Sequence, residues 1–158
     1  MSQPAQLIQP PNTLRLKVGA RSTALDPALL AKAEAALASL SSQFGDWMQD
    51  ELDKLEVARA AVKTEGMQED VLETLYMRAH DLKGLGATYE FPIVTRMAGS
   101  LCKLLDDPER RLTAPMYLVD AHIDAVKAAV RQNIRSEDHP VGRVLVTELE
   151  TRVKEYLA

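Results

Sequence analysis

The chain has 158 residues, of which 46% are hydrophobic and 27% are charged, and its formal net charge is −4. This composition allows one domain with its own core, and the acidic balance argues against general nucleic-acid binding, which needs a basic surface. A single cysteine, Cys102, excludes an internal disulfide and fits a reducing compartment. Because there is no apolar run of about 18 residues and no signal-peptide core, we expect a cytoplasmic protein without a membrane partner.

Residues 1–25 contain three prolines, and their first charged residues are all basic. Such a segment buries too little apolar surface to become ordered by itself, so we predict a flexible or loosely docked N-terminal arm. The alternation of apolar and polar residues over Leu14–Val18 is typical of a strand, but the rest of the chain offers no strand to pair with it. The folded domain is therefore expected to comprise residues 26–158.

The first helix is predicted to begin at Asp26-Pro27, an N-cap acceptor followed by proline at the first helical position. Its apolar residues recur at spacings of three and four: Leu29, Leu30, Ala33, Leu37 and Leu40. Gly45 weakens the helical pattern, and Asp46 could cap a new helix that carries Trp47 as a core or inter-helix anchor. The sequence leaves open whether residues 26–63 form one bent helix or two.

The next helix, predicted from Gln68 to Glu90, carries a histidine on its polar side. At about 100° of rotation per residue, its apolar residues form one stripe: Val71, Leu75, Ala79, Leu82, Gly86 and Tyr89. His80 lies opposite this stripe and is predicted to face solvent. Lys83, Gly84 and Ala87 follow on the same side, within two turns.

These exposed residues suit the capture of a phosphoryl group. A neutral imidazole has a free nitrogen lone pair, and Lys83 can bring an ammonium close to a dianionic group on the ring. Glycine costs about 1 kcal/mol relative to alanine inside a helix, so we interpret Gly84 as giving another protein steric access to His80. The motif contains no metal-ligand cluster, phosphate-binding loop or acid partner for acyl chemistry.

The run Ala79-His80-Asp81-Leu82-Lys83-Gly84 resembles the signature of the histidine-containing phosphotransfer (HPt) domain. The resemblance implies an all-α fold, a four-helix bundle that here has an additional N-terminal helix and an extended N-terminal arm. It also implies that His80 accepts a phosphoryl group from the aspartate of one receiver domain and passes it to another. The partners would be receiver domains of response regulators or hybrid histidine kinases, which supply Mg²⁺, so no cofactor of this chain is expected.

The chain departs from the HPt pattern at Glu90, ten residues after the histidine, where the family usually has glycine. The following Pro92 biases Phe91 away from helical angles and is itself suited to the start of a helix. Because the sequence has no glycine-rich nucleotide loop, we do not expect ATP-dependent kinase activity. The chain would be an intermediate in phosphoryl transfer.

Three more helices are predicted: one from Pro92 to about Leu105, a second after Thr113-Ala114-Pro115 and a third after a break at residues 137–140. In the first of them Cys102 is expected to be a small buried or half-buried hydrophobe. The last is predicted to carry the apolar residues Val144, Leu145, Leu149, Val153 and Tyr156.

The other two histidines are predicted to have no role in chemistry. His122 falls on the flank of an apolar stripe, and the neighbouring carboxylates at Asp120 and Asp124 point elsewhere on a helix. His139 precedes Pro140 and is predicted to occupy a turn, so we expect no metal site.

Two alternatives to phosphoryl transfer stay open at this point. The chain could be an adaptor or scaffold bundle that binds a partner through the face around His80 without covalent chemistry. It could also be a dimeric histidine-kinase core that has lost its ATPase part, which would place His80 near a two-fold axis.

Overall fold

The computed structural model of the chain describes residues 26–158, so the predicted arm and the alternating segment Leu14–Val18 lie outside the described residues. The described residues form six helices and no strand. The helices are α1 (Pro27–Glu65), α2 (Glu69–Leu85), α3 (Pro92–Leu105), α4 (Pro108–Arg111), α5 (Met116–Arg131) and α6 (Pro140–Leu157). The all-α prediction is confirmed for this part of the chain, in which no helix has the length and apolar character to cross a membrane.

α1 is one continuous helix, which answers the question that the sequence left open. It begins as predicted at Asp26, whose carboxylate accepts a hydrogen bond from the backbone N–H of Ala28 at 3.0 Å. The helix continues through Gly45 without a restart at Asp46. It stops before Gly66, whose φ of +88° lies in the left-handed region that glycine adopts at low cost.

The chain divides after Ser39 into two compact units, and this boundary falls within α1. In the first unit every described residue, from Asp26 to Ser39, is exposed. The predicted apolar stripe is therefore helical but not buried there, and Leu37 is 66% exposed.

The second unit, Leu40–Ala158, holds the hydrophobic core. α3 contacts α2, α5 and α6 and buries most of its own surface. Each fully buried large aliphatic side chain contributes about 1.5–3 kcal/mol through the water it excludes. The most enclosed are Met48, Leu55, Leu72, Leu75, Leu82, Ile93, Met97, Leu101, Leu104, Leu105 and Ile123.

A polar network joins α1 to α5. Arg59 is only 7% exposed and donates hydrogen bonds to Glu56 at 2.6 Å and to Asp124 at 2.7 Å. Burial disfavours the charged guanidinium, but the hydrogen bonds to these carboxylates more than offset that effect and raise the pKa of Arg59. Lys127 adds a second cation on Glu56 at 3.0 Å.

The apolar residues predicted for α6 are only partly buried. Leu149 and Val153 are buried, but Val144 is 68% exposed and Tyr156 is 40% exposed. The buried face of α6 also includes Gly142 and Val146. The backbone of α6 comes close to α3 at Gly142. A Cβ at Gly142 would lie 2.6 Å from the Cδ1 atom of Ile93.

Candidate functional site

α2 places His80 on its solvent-facing side, as predicted. The buried residues of this helix lie on the opposite face: Val71, Leu72, Leu75, Ala79 and Leu82. His80, Lys83, Gly84 and Ala87 are all exposed. The core thus fixes the orientation of α2, and this orientation leaves the imidazole open to a reaction partner.

The predicted extent of this helix is wrong at its C-terminal end, because α2 stops at Leu85 rather than at Glu90. Gly86 approaches α3 so closely that a Cβ there would lie 2.6 Å from the Thr95 Oγ1 atom. That hydroxyl oxygen accepts a hydrogen bond from the backbone N–H of Ala87 at 2.9 Å. Gly84 therefore lies in the last turn of α2, where a Cβ would meet no other atom within 4 Å.

Glu90 has a left-handed backbone conformation, with φ of +66°. Residues other than glycine pay about 1–2 kcal/mol for this conformation, so contacts around Glu90 must stabilise it. Arg135 holds the residue in place by donating to its carboxylate at 3.0 Å and to its carbonyl oxygen at 3.3 Å. An ion pair with Arg135 thus accompanies the left-handed conformation of Glu90.

An aromatic cluster lies beside the same turn. The ring centroids of Phe44, Trp47 and Tyr89 are 5.8 Å from one another. Trp47 is 43% exposed. It therefore packs against the segment after α2 at the protein surface and is not part of the core. Of the predicted roles of core or inter-helix anchor, the structure shows neither fully, because Trp47 packs on the turn after α2 and stays partly exposed.

A cavity of about 350 Å³ opens beside His80. α2 contributes Tyr76, His80 and Lys83 to its lining, α6 contributes Glu150, and α3 contributes several residues, among them Arg96, Gly99 and Lys103. The imidazole therefore stands at the edge of a recess that is wide enough for a small anionic group.

Tyr76 forms a fixed wall of this cavity. Its ring centroid is 6.1 Å from that of His80, and its hydroxyl donates a hydrogen bond to Asp106 at 3.1 Å. This hydrogen bond is the main cause of a raised pKa for Tyr76, so the phenol stays protonated. The buried guanidinium of Arg111 lies 4.6 Å from the Tyr76 ring centroid and donates to the carbonyl oxygen of Leu105 at 2.7 Å.

Lys83 extends from α2 over α3. A Cβ at Gly99 would lie 3.9 Å from both Cδ and Cε of Lys83, so the absent side chain at Gly99 leaves room for the lysine stem. Burial raises the pKa of the neighbouring Cys102 thiol to about 11, although the charge of Lys83 opposes the rise. Cys102 is buried and protonated at neutral pH, which confirms its prediction as a small hydrophobe.

Arg96 neutralises acidic side chains at the other end of the cavity. Its guanidinium donates to both carboxylate oxygens of Glu150, at 3.1 and 2.7 Å, and it forms an ion pair with Glu137. Such a bidentate pair is geometrically specific. It links α3 to α6 and to the segment just before it, and it leaves the charge of Glu150 compensated.

His122 is fully buried, so its predicted position on the flank of the stripe is wrong. Its Nδ1 atom lies 2.7 Å from the carbonyl oxygen of Leu118, which can only accept, and Nδ1 therefore carries the proton. Nε2 then accepts a hydrogen bond from the Ser100 hydroxyl at 2.9 Å. Burial lowers the pKa of His122, which keeps the ring neutral.

This serine–histidine pair has the spacing of a nucleophile and its base, but its surroundings do not suit acyl chemistry. Ser100 is only 4% exposed and lies inside α3, whose backbone N–H groups are occupied by helical hydrogen bonds. The pair therefore serves the core. His139 acts as the N-cap of α6, accepting from the backbone N–H of Val141 at 3.2 Å. Within residues 26–158, His, Cys, Asp and Glu side chains form no group of three that could hold a metal ion.

Sequence reasoning missed the residues that α3 and α2 add around the imidazole, namely Tyr76, Arg96 and Lys103. A signal for two of them exists in the sequence. Arg96, Gly99 and Lys103 recur at spacings of three and four along an otherwise apolar helix, so they form one row on its surface. That row faces the cavity beside His80.

No known family model matches this chain, and no curated protein or solved structure matches it either.

Proposed function

We propose that this chain is a histidine phosphotransfer protein, which carries a phosphoryl group between receiver-domain aspartates through His80. The observation that carries the proposal is the exposed imidazole, directed away from the buried face of α2, with Lys83 and Gly84 exposed beside it. The proposal includes an HPt-like four-helix bundle with an additional N-terminal helix, and residues 26–158 as the functional domain.

The proposed reaction is a displacement at phosphorus. A ring nitrogen of His80 uses its lone pair to form an N–P bond, while the O–P bond of the partner's aspartyl phosphate breaks and the carboxylate leaves with the bonding electrons. Transfer to the next receiver is the reverse reaction at a different aspartate. Phosphoryl transfer depends mainly on positioning and charge stabilisation, and the partner supplies its aspartate and Mg²⁺.

Lys83 and Gly84 have distinct roles in this proposal. Lys83 lines the cavity, with its stem over Gly99 of α3, and its ammonium stabilises the negative charge of the transferred group. Gly84 leaves open space one turn beyond the imidazole. A receiver must bring its aspartyl phosphate to within bonding distance of the ring, and this open space admits its loops.

The test is transfer of labelled phosphate from purified, phosphorylated receiver domains. We expect label on the chain that is lost in acid and retained in alkali, as for a phosphohistidine, and no label on the His80→Gln variant. Label that survives acid, or that persists in His80→Gln, would contradict the proposal. Stable binding of receivers without any transfer would favour the adaptor alternative.

A further inference from the structure

A second lysine shares the cavity with the imidazole. Lys103 lies on α3, one turn after Gly99. Four residues separate the two, so Lys103 is about 6 Å further along the helix axis. Gly99 is the residue that the stem of Lys83 crosses, and both lysines line the cavity beside His80. Two lysines from different helices thus line the space next to the ring.

Neither of these two lysines forms an ion pair within residues 26–158. Of the acidic groups in the lining, Glu150 pairs with Arg96 and Asp106 accepts from the Tyr76 hydroxyl. Among residues 26–158, no carboxylate lies within ion-pair distance of Lys83 or Lys103. Both lysines are therefore available to pair with an added anion, and a dianion held between them would be attracted to both.

We propose that Lys103 and Lys83 together form the binding site for the phosphoryl oxygens of phosphorylated His80. This inference rests on the proposed function and adds a positioning and charge-stabilising residue from a second helix. Lys83 contacts the group from the helix of the imidazole, and Lys103 contacts it from α3. Because the two cations are on separate helices, they bracket the phosphoryl group from two sides.

The experiment uses the full chain and phosphoramidate, a small donor whose N–P bond breaks with ammonia as the leaving group while the N–P bond to His80 forms. The rate of phosphohistidine formation is followed by ³¹P NMR for wild type, Lys103→Gln, Lys103→Arg and Lys154→Gln. Lys154 is the matched control, since it is an exposed lysine on the wall of a neighbouring cavity and does not line the one beside His80. Unchanged melting curves verify that each variant is folded.

We expect Lys103→Gln to slow phosphorylation about fivefold, Lys103→Arg to stay close to wild type, and Lys154→Gln to change the rate less than about twofold. The gap between wild type and Lys103→Gln should narrow in high salt, because ions screen exposed charges beyond a few ångströms. Equal slowing by Lys154→Gln, or a rate for Lys103→Gln equal to wild type, would overturn the inference while leaving the proposed function intact. Absence of phosphate on His80 in wild type would instead overturn the proposed function, and this inference with it.

Discussion

The two helical histidines of this protein, His80 on α2 and His122 on α5, have opposite environments. His80 is exposed, whereas His122 has no accessible surface and uses both ring nitrogens in hydrogen bonds. The chemistry available to each ring follows from this difference. A buried ring with both nitrogens engaged has no lone pair to offer a partner, while an exposed ring can attack an incoming phosphorus atom.

The difference comes from the angular position of each histidine relative to the apolar stripe of its helix. His80 lies opposite the buried residues of α2. His122 lies next to Ile123 and in line with Leu118 and Val119, on the side of α5 that faces the core. The same helical geometry exposes one histidine and buries the other. The helix face on which a histidine lies therefore indicates its function better than the residue type does.

The largest effect is expected from His80→Gln. Glutamine has no nucleophilic ring nitrogen, so the variant should accept no phosphoryl group from receivers or from phosphoramidate. Because the residue is exposed, its free energy of unfolding should stay within about 0.5 kcal/mol of wild type. Denaturant unfolding monitored by circular dichroism measures this, and a large destabilisation would mean that His80 is structural.

His122→Ala should have the opposite pattern, with a loss of stability and retention of chemistry. The substitution leaves a cavity in the core and deprives the Ser100 hydroxyl of its acceptor, which together should cost about 2–4 kcal/mol. Well below its melting temperature, the variant should still take phosphate onto His80. Loss of phosphorylation in a folded His122→Ala protein would show that the His122–Ser100 pair contributes to the reaction at His80. The contrast between a reactive and a structural histidine would then be wrong.

The buried histidine should also make stability depend on pH. The pKa of His122 is lowered by burial, so the unfolded chain binds this proton more readily than the folded chain does. Stability is therefore full above the ordinary histidine pKa of about 6.5 and falls as the pH decreases from there toward the folded value. One such group contributes a slope of at most about 1.4 kcal/mol per pH unit.

The pH effect is measured as the free energy of unfolding of wild type and His122→Gln at pH 7.5 and pH 5.5. Wild type should lose more stability on acidification than the variant, which has no group to titrate at this position. Identical losses in the two proteins would show that His122 does not control the acid sensitivity in this range.

The sequence predicted helices well because their signals are local. The N-cap at Asp26 and the orientation of His80 follow from residues within a few turns, and both are confirmed. The end of α2 depends on Thr95, which is far enough along the chain to belong to another helix. The exposure of Leu37 likewise depends on what packs against α1, which periodicity within the helix does not contain.

The candidate site was predictable to the extent that it lies on α2. His80, Lys83 and Gly84 are separated by three and four residues, so helical geometry alone places them together. Lys103 comes from α3, and its arrival beside the imidazole depends on how closely two helices approach at Gly99. The burial of His122 depends similarly on Ser100, which comes from the neighbouring helix.

A substitution at Gly84 is expected to cost no stability, and Gly86 in the same segment provides the contrast. A Cβ at Gly84 meets nothing within 4 Å, while a Cβ at Gly86 would lie 2.7 Å from the Thr95 backbone nitrogen. Gly84→Ala should therefore be neutral or stabilising by up to about 1 kcal/mol, since alanine has the higher helix propensity. Gly86→Ala should cost about 1–3 kcal/mol, because α3 must shift to admit the methyl group.

The two glycines also differ in role: Gly84 is proposed to give donors access to His80, whereas Gly86 packs against α3. Gly84→Gln should fold like wild type and react normally with phosphoramidate, which is small enough to pass the added side chain. Its transfer from a receiver domain should be slowed strongly, because the glutamine occupies the path of the larger donor one turn from the ring. Side-by-side rates with the two donors measure this selectivity. Equal slowing with both donors would place the effect on the imidazole itself, and unfolding of Gly84→Gln would assign the glycine to packing, as its neighbour Gly86 is.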